Sequence, residues 1–162
     1  MRDYALPWDG THGPSHWGRV LENGLQLAEQ TGGDPTVVSL FAVLHDCRRV
    51  NEGVDPGHGL RAAEFAESIR GAQLDLDHGW FDLLHFACAH HTEGLTNGNI
   101  TVQTCWDADR LDLGRVGISP HSKYLCTQAA KDPKTISWAE DRARNDYRPA
   151  VVETWRSVSG IG

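Results

Sequence analysis

The sequence predicts an all-α protein, a compact single-domain bundle of five to seven helices. Three observations lead there. The chain has 162 residues, which suits one domain with a core of its own. Apolar residues recur at spacings of three and four along most of it. No stretch alternates apolar and polar residues for long enough to require a sheet, and no repeat, low-complexity tract or linker divides the chain. The expected organisation is an N-terminal arm over 1–14, a helical domain over 15–157 and a tail over 158–162.

The arm is turn-rich, with Pro7, Gly10, Gly13 and Pro14. Pro14 and Ser15 open a helix along which Trp17, Val20, Leu21, Leu25 and Ala28 share a face, and Thr31-Gly32-Gly33 stops it. Asp34-Pro35 pairs a cap with proline at the first helical position. The helix it opens, about 36–48, is apolar nearly all round and should be central. An amphipathic helix follows over about 57–70, then one over about 78–92 capped by Asp75 or Asp77 and ending at His90-His91. Residues 101–113 read as a short helix, although Thr101 and Thr104 favour strand. Two more helices are expected, over about 120–130 and 137–157, the second with a Ser137 cap and Glu140 at N3.

The charge balance narrows the partners. Fifteen Lys and Arg against twenty-two Asp and Glu leave a net charge of −7, so neither duplex nucleic acid nor an anionic membrane surface is an expected partner. No uncharged apolar run approaches the about 18 residues a transmembrane helix needs. The first residues lack the apolar stretch of a secretory signal, which makes the cytoplasm the expected compartment. Cys47, Cys88, Cys105 and Cys126 form no CxxC pair and read as reduced core thiols. Trp17, Trp80, Trp106, Trp138 and Trp155 read as core aromatics.

Nine histidines are the compositional feature that points to chemistry. His45 and Asp46 lie together at the end of the most apolar helix. A buried carboxylate beside an imidazole needs a cation or hydrogen bonds to offset its desolvation, and a divalent ion accepts both ligand types. The alternative is a His–Asp pair that closes the turn by hydrogen bonds. His16 starts the first helix, and Asp107 and Asp109 lie in the acidic string CWDADRLD. Two histidines and two carboxylates around an ion leave positions for water or phosphate. His12, His78 and His121 read as surface residues and His85 as a satisfied interior histidine.

The order His16, His45-Asp46, Asp109, within the strings SHW, AVLHDC and DADRLDLGRVGI, resembles the HD-domain superfamily of metal-dependent phosphohydrolases, in its small stand-alone bacterial form. The resemblance spans about residues 15–118. It implies an HD-domain-like helical fold and one or two divalent ions, among manganese, nickel, magnesium, iron and zinc. It also implies hydrolysis of a small phosphorylated substrate, with nucleotides among the candidates. His16, His45, Asp46 and Asp109 match the positions of the first ion's ligands, with Asp109 rather than Asp107 in the Ala-Asp-x-Leu string. Asp107 is then expected to hold a ligand or Arg110.

HGLRAAEF and AHHTEGLTNG are similar to segments that carry further metal-binding histidines, so His58, His90 and His91 are candidates for a second ion. The Gly-Tyr-Pro signature of the cyclic-dinucleotide-cleaving branch is absent, since Gly94-Leu95-Thr96 stands there. Asp46, His58, His91, Arg49 and Arg110 are the candidate catalytic residues, and Arg48 and Arg61 are further phosphate donors. Nucleotidase relatives place a glutamate after the His-Asp pair. Arg48 and Arg49 stand there in this chain, leaving Asp46, Asp109 and Glu52 as candidate bases. That departure keeps a second reading open: a catalytically degenerate HD-type domain holding metal or nucleotide in a structural or sensing role.

Overall fold

Capping chemistry punctuates the chain where short polar residues and prolines meet apolar runs. In the computed structural model, which describes residues 4–159, α1 (Pro14–Thr31) starts with proline in its first turn and closes on Gly32 at φ 77°. Asp34 caps α2 (Pro35–Leu44) by accepting from the N–H groups of Thr36 and Val37. α3 (His58–Ile69) follows, then α4 (His78–His90) capped by Asp77, and α5 (Ile100–Arg110) capped by Asn99. Among the described residues there is no strand, and the helical class expected from periodicity is the class observed.

Several boundaries differ from expectation. The central helix ends at Leu44, and residues 45–48 continue as turns, with Cys47 N bonded to Leu44 O and Arg49 N to Asp46 O. The helix expected over 101–113 tightens after Arg110 into a 3₁₀ segment, Leu111–Val116. The one expected over 120–130 is broken into a 3₁₀ turn, Ser122–Tyr124, and the short α6 (Gln128–Lys131). Asp107 causes the break, because its carboxylate accepts from Cys126 N, Thr127 N and Thr127 Oγ1 at 2.6, 2.8 and 2.8 Å. Those bonds hold the chain out of helical conformation. The helix expected over 137–157 is two helices, α7 (Pro133–Arg144) and α8 (Val151–Ser159). Asp132 caps α7, with Pro133 at N1 in place of the expected Ser137 cap, and Pro149 lies in the gap before α8. Residues 160–162 of the expected tail lie outside the described residues.

α2 is the centre of the bundle, packed on α1, α4, α5 and α3. Val37, Val38, Phe41 and Ala42 are fully buried there, against Val20, Leu84, Val102 and Trp106. A smaller core of Leu27, Leu111, Leu125, Ala130 and Ala139 lies under α6 and α7. Two glycines permit close approaches that set the site. A Cβ on Gly24 would stand 2.4 Å from Val38 Cγ1, so α1 lies tightly on α2. A Cβ on Gly59 would stand 2.6 Å from Cys88 O and 3.0 Å from His91 Nδ1, so α3 approaches the end of α4 at backbone distance.

The four thiols are free, with Cys88 and Cys105 buried, and burial pushes Cys47 up to about 12. Trp80, expected in the core, is 44% exposed on α4. No helix among the described residues is long and apolar enough to cross a membrane.

Candidate metal centre

Two pairs of histidines face each other across one aspartate. In the first pair, His16 comes from α1 and His45 caps the C-terminus of α2; both are fully buried. His16 Nδ1 lies 2.7 Å from Asp112 Oδ2, and His45 Nδ1 lies 3.1 and 3.2 Å from the carbonyls of Phe41 and Ala42. These acceptors place the ring proton of each histidine on Nδ1. The Nε2 lone pairs are left facing each other at 3.0 Å. Asp109 Oδ1 lies 3.5 and 3.7 Å from the two nitrogens, and Asp46 Oδ2 lies 3.6 and 3.8 Å from them.

The second pair repeats the arrangement. His58 Nδ1 donates to Asp55 O at 2.7 Å and His91 Nδ1 to Cys88 O at 2.8 Å. Their Nε2 atoms also stand 3.0 Å apart, and Asp46 Oδ1 lies 3.1 Å from one and 3.7 Å from the other. Asp46 therefore turns one oxygen toward each pair. It is 2% exposed, and Oδ1 makes no hydrogen bond, because the nearby His58 Nε2 presents a lone pair rather than a proton.

The electrostatics follow from this crowding. Burial and the charges of Arg115 and His45 push His16 well below its usual range, and burial likewise lowers His45. Burial by itself would raise Asp46. His45 and the contacts from His12, His58 and His91 outweigh it and hold the carboxyl well below the usual range. Asp109 is lowered in the same way, against its desolvation, by His45, Arg115 and His16. His91 is raised, since its pairing with Asp46 and the charge of Asp109 exceed the cost of burying its cation.

Nitrogen and carboxylate acceptors packed at 3.0–3.8 Å with their lone pairs convergent repel one another unless a cation or a proton sits among them. The donor set fits a divalent ion on that ground. His16, His45 and Asp46 bring ligand atoms within 4.8 Å of one another, and so do Asp46, His58 and His91. The orphaned Asp46 Oδ1 points the same way. The second cluster also has a cation of its own: Arg49 Nη1 lies 3.1 Å from His58 Nε2 and 3.6 Å from Asp46 Oδ1.

Of the residues singled out from the sequence, His16, His45, Asp46, Asp109, His58, His91 and Arg49 are thus brought together. His90 and Arg110 are not. On the helix His90 points away from its neighbour, is half-buried and pairs with Glu93 Oε1 at 2.9 Å, which corrects its assignment as a ligand. Arg110 is a strut, donating to Leu95 O at 2.7 Å and Tyr124 O at 2.9 Å, which directs its Nη atoms to backbone carbonyls. Asp107 holds the 126–127 backbone instead of a ligand or Arg110. Arg61 is bound to Asp55 at 2.7 Å, and Arg48 lies over the Phe65 ring.

Three residues of the centre went unassigned in the sequence. His12, expected on the surface, is 8% exposed and donates from Nδ1 to Asp46 Oδ2 at 2.9 Å, because the arm folds over the centre. Glu52 fastens that arm by accepting from His12 N. Asp112 fixes His16 and takes Arg19 Nε at 2.7 Å; its spacing of three from Asp109, one helical turn, was a usable signal. Arg115 lies behind His12, with Nη2 3.5 Å from its ring. No local pattern marks His12 or Arg115, since both reach the centre from outside regular helix.

An all-helical scaffold that gathers a His-Asp doublet, histidines from three other helical positions and a later aspartate forms a cluster of the HD kind whose donors could hold a metal ion. No protein-family model matches the chain. Among solved structures it is similar to a predicted HD superfamily hydrolase from an uncultured Thermotogales bacterium. The identity is 30% over 93% of this chain and 82% of that one, with a TM-score of 0.60. The chain belongs to the HD superfamily.

Proposed function

We propose that the protein is a metal-dependent phosphohydrolase of HD type acting on a nucleotide or another small phosphate ester in the cytoplasm, with neither duplex nucleic acid nor membrane as partner. The observation that carries this is the double constellation around Asp46: two pairs of Nε2 lone pairs at 3.0 Å, each beside one oxygen of the same buried carboxylate. His16, His45, Asp46 and Asp109 would hold one divalent ion, and Asp46, His58 and His91 a second. Manganese, nickel, magnesium, iron or zinc bound there would polarise a phosphoryl oxygen and lower the pKa of water.

The chain's own groups supply the rest. Asp112 and the carbonyls of residues 41, 42, 55 and 88 lock each imidazole in the tautomer that turns its lone pair inward. Arg49 stands against the second cluster and can donate to a phosphate oxygen where charge develops. Asp109, at 16% side-chain exposure, is the most accessible carboxylate of the set and the best-placed proton acceptor.

The test is metal analysis of the purified chain, with hydrolysis of nucleotides and simple phosphate esters measured before and after chelation. Turnover that needs metal and is lost in His45→Ala and Asp46→Ala is expected. Unchanged metal content in those variants refutes the centre. The degenerate-domain reading is favoured by one observation, the Arg49 guanidinium standing against His58 where a metal would compete with it. Metal binding without turnover on any of these substrates would select it.

A further inference from the structure

On the face of the domain behind His16, a cavity of about 290 Å³ opens between the N-terminal arm, the start of α1, the 3₁₀ segment and the α7–α8 connection. Its lining includes Arg19, Arg115, Arg144 and Arg148, on a chain whose net charge is −7. Asp9 and Asp146 also border it. Arg19 is neutralised from within by Asp112, at 2.7 Å from Nε, so its charge belongs to the wall. Arg144 and Arg148 are on the rim, in exposed pairs with Glu140 at 2.7 Å and Asp9 at 3.1 Å, contacts that water screens and that loosen readily.

Arg115 is satisfied only in part: Nη1 donates to Asp112 O at 3.1 Å. Its side chain is 9% exposed, and its Nε is buried with no hydrogen-bond partner. A guanidinium N–H left unpaired at that depth is costly unless a ligand accepts from it. Ser15 lines the same cavity, in the first turn of α1, whose N-cap Gly13 offers no side chain to the free N–H groups. An 18-residue helix thus turns its positive end toward four guanidinium groups and an unpaired buried donor.

We propose that this cavity is an anion site for a phosphate group, separate from the metal centre, with Arg115, Arg144, Arg148 and the first turn of α1 as its donors. The wall between the two is Arg19–Asp112–His16, so the site does not depend on the ions or on the hydrolase reading.

The test is calorimetric titration of the full-length chain with inorganic phosphate, in the metal-loaded form and after chelation. Chelation removes phosphate binding that requires metal and leaves binding to the arginine cavity. One equivalent of phosphate should bind the chelated protein, about tenfold more weakly in Arg144→Gln/Arg148→Gln. These two side chains are exposed, so thermal unfolding of the variant should match that of the parent. A parallel titration with glycerol phosphate decides whether free or esterified phosphate is preferred, either preference being consistent with the site. Absence of binding after chelation overturns the proposal, and so does binding that the double variant leaves unchanged. Loss of hydrolysis in the metal-centre variants alone would bear only on the proposed activity.

Discussion

Asp112→Asn isolates the part of the centre that the arginine network controls. The Asp112 carboxylate accepts His16 Nδ1–H at 2.7 Å, Arg19 Nε–H at 2.7 Å and Arg19 Nη2–H at 3.2 Å, with Asp112 fully buried and Arg19 3% exposed. Asparagine keeps the shape but offers one acceptor oxygen and a donor NH₂. If that oxygen stays with Arg19, the NH₂ meets His16 Nδ1–H, donor against donor. His16 relieves the clash by moving its proton to Nε2, the nitrogen that stands 3.0 Å from His45 Nε2 and faces the centre. The lone pair offered to a metal is then gone. Arg19 meanwhile loses its compensating charge, and breaking one partner of a buried pair costs about 3–5 kcal/mol. At about 2–4 °C per kcal/mol for a chain of this size, Tm should fall by about 6–20 °C. Loss of an outer partner of a ligand histidine should weaken metal binding by about 10–100-fold. Thermal unfolding of the metal-free variant and a manganese titration read the two effects separately. A Tm within about 2 °C of the parent, or unchanged metal affinity, would refute the account of how His16 is held.

Other outcomes follow from the same geometry. His90→Ala should leave metal binding unchanged while His91→Ala weakens it, because only His91 turns its Nε2 toward Asp46; a metal titration of both variants checks this. Arg110→Ala should destabilise the fold by about 1–3 kcal/mol through the two backbone carbonyls it leaves unpaired, with KM for a phosphate substrate unchanged. A rise in KM without loss of Tm would instead restore Arg110 to substrate binding. The metal-free chain should lose stability as pH falls below 6.5, the ordinary histidine value. His16 and His45 are both lowered, so the unfolded state takes up their protons first. His91, raised, acts in the opposite sense but above 6.5, where its contribution builds up as pH falls, and below 3.8 the lowered Asp46 and Asp109 add to the loss. A Tm that rises as pH falls from about 6.5 to about 5 would contradict this sign.

How far the centre is legible in the chain depends on whether a residue's direction is local. His45 and Asp46 stand out because an apolar helix packed among α1, α3, α4 and α5 ends in two polar residues that are both buried. Neighbouring His90 and His91 cannot be told apart by sequence. Successive positions on a helix diverge by about 100°, and packing against Gly59 decides which one faces inward. Arg110 misleads because an arginine beside a ligand aspartate suits phosphate, yet its fork is taken by carbonyls from loops 15 and 14 residues away. The helix expected over 120–130 fails for a related reason, since the carboxylate that breaks it comes from Asp107, far back in the chain.

The sequence by itself determined the helical class, the cap at Asp34, the burial of the core face of α2 and the HD-type string of histidines and aspartates, and narrowed the cap of α4 to Asp75 or Asp77. The class, the caps and the burial rest on interactions within about one helical turn or on periodicity along one helix, and the string rests on its resemblance to the HD superfamily. Only the tertiary structure decided that Asp46 turns one oxygen to each of two histidine pairs, and that His12 swings in from the arm to bind it. It also decided that Asp112 and Arg115 stand behind the ligands, with an arginine-lined cavity beyond them. The contacts of His12 with Asp46, of His16 with Asp112 and of Arg115 with His12 join residues 34, 96 and 103 positions apart. Although His45, His58 and His91 find their Nδ1 acceptors within four residues, only the packing of separate helices turns the four Nε2 lone pairs toward one another.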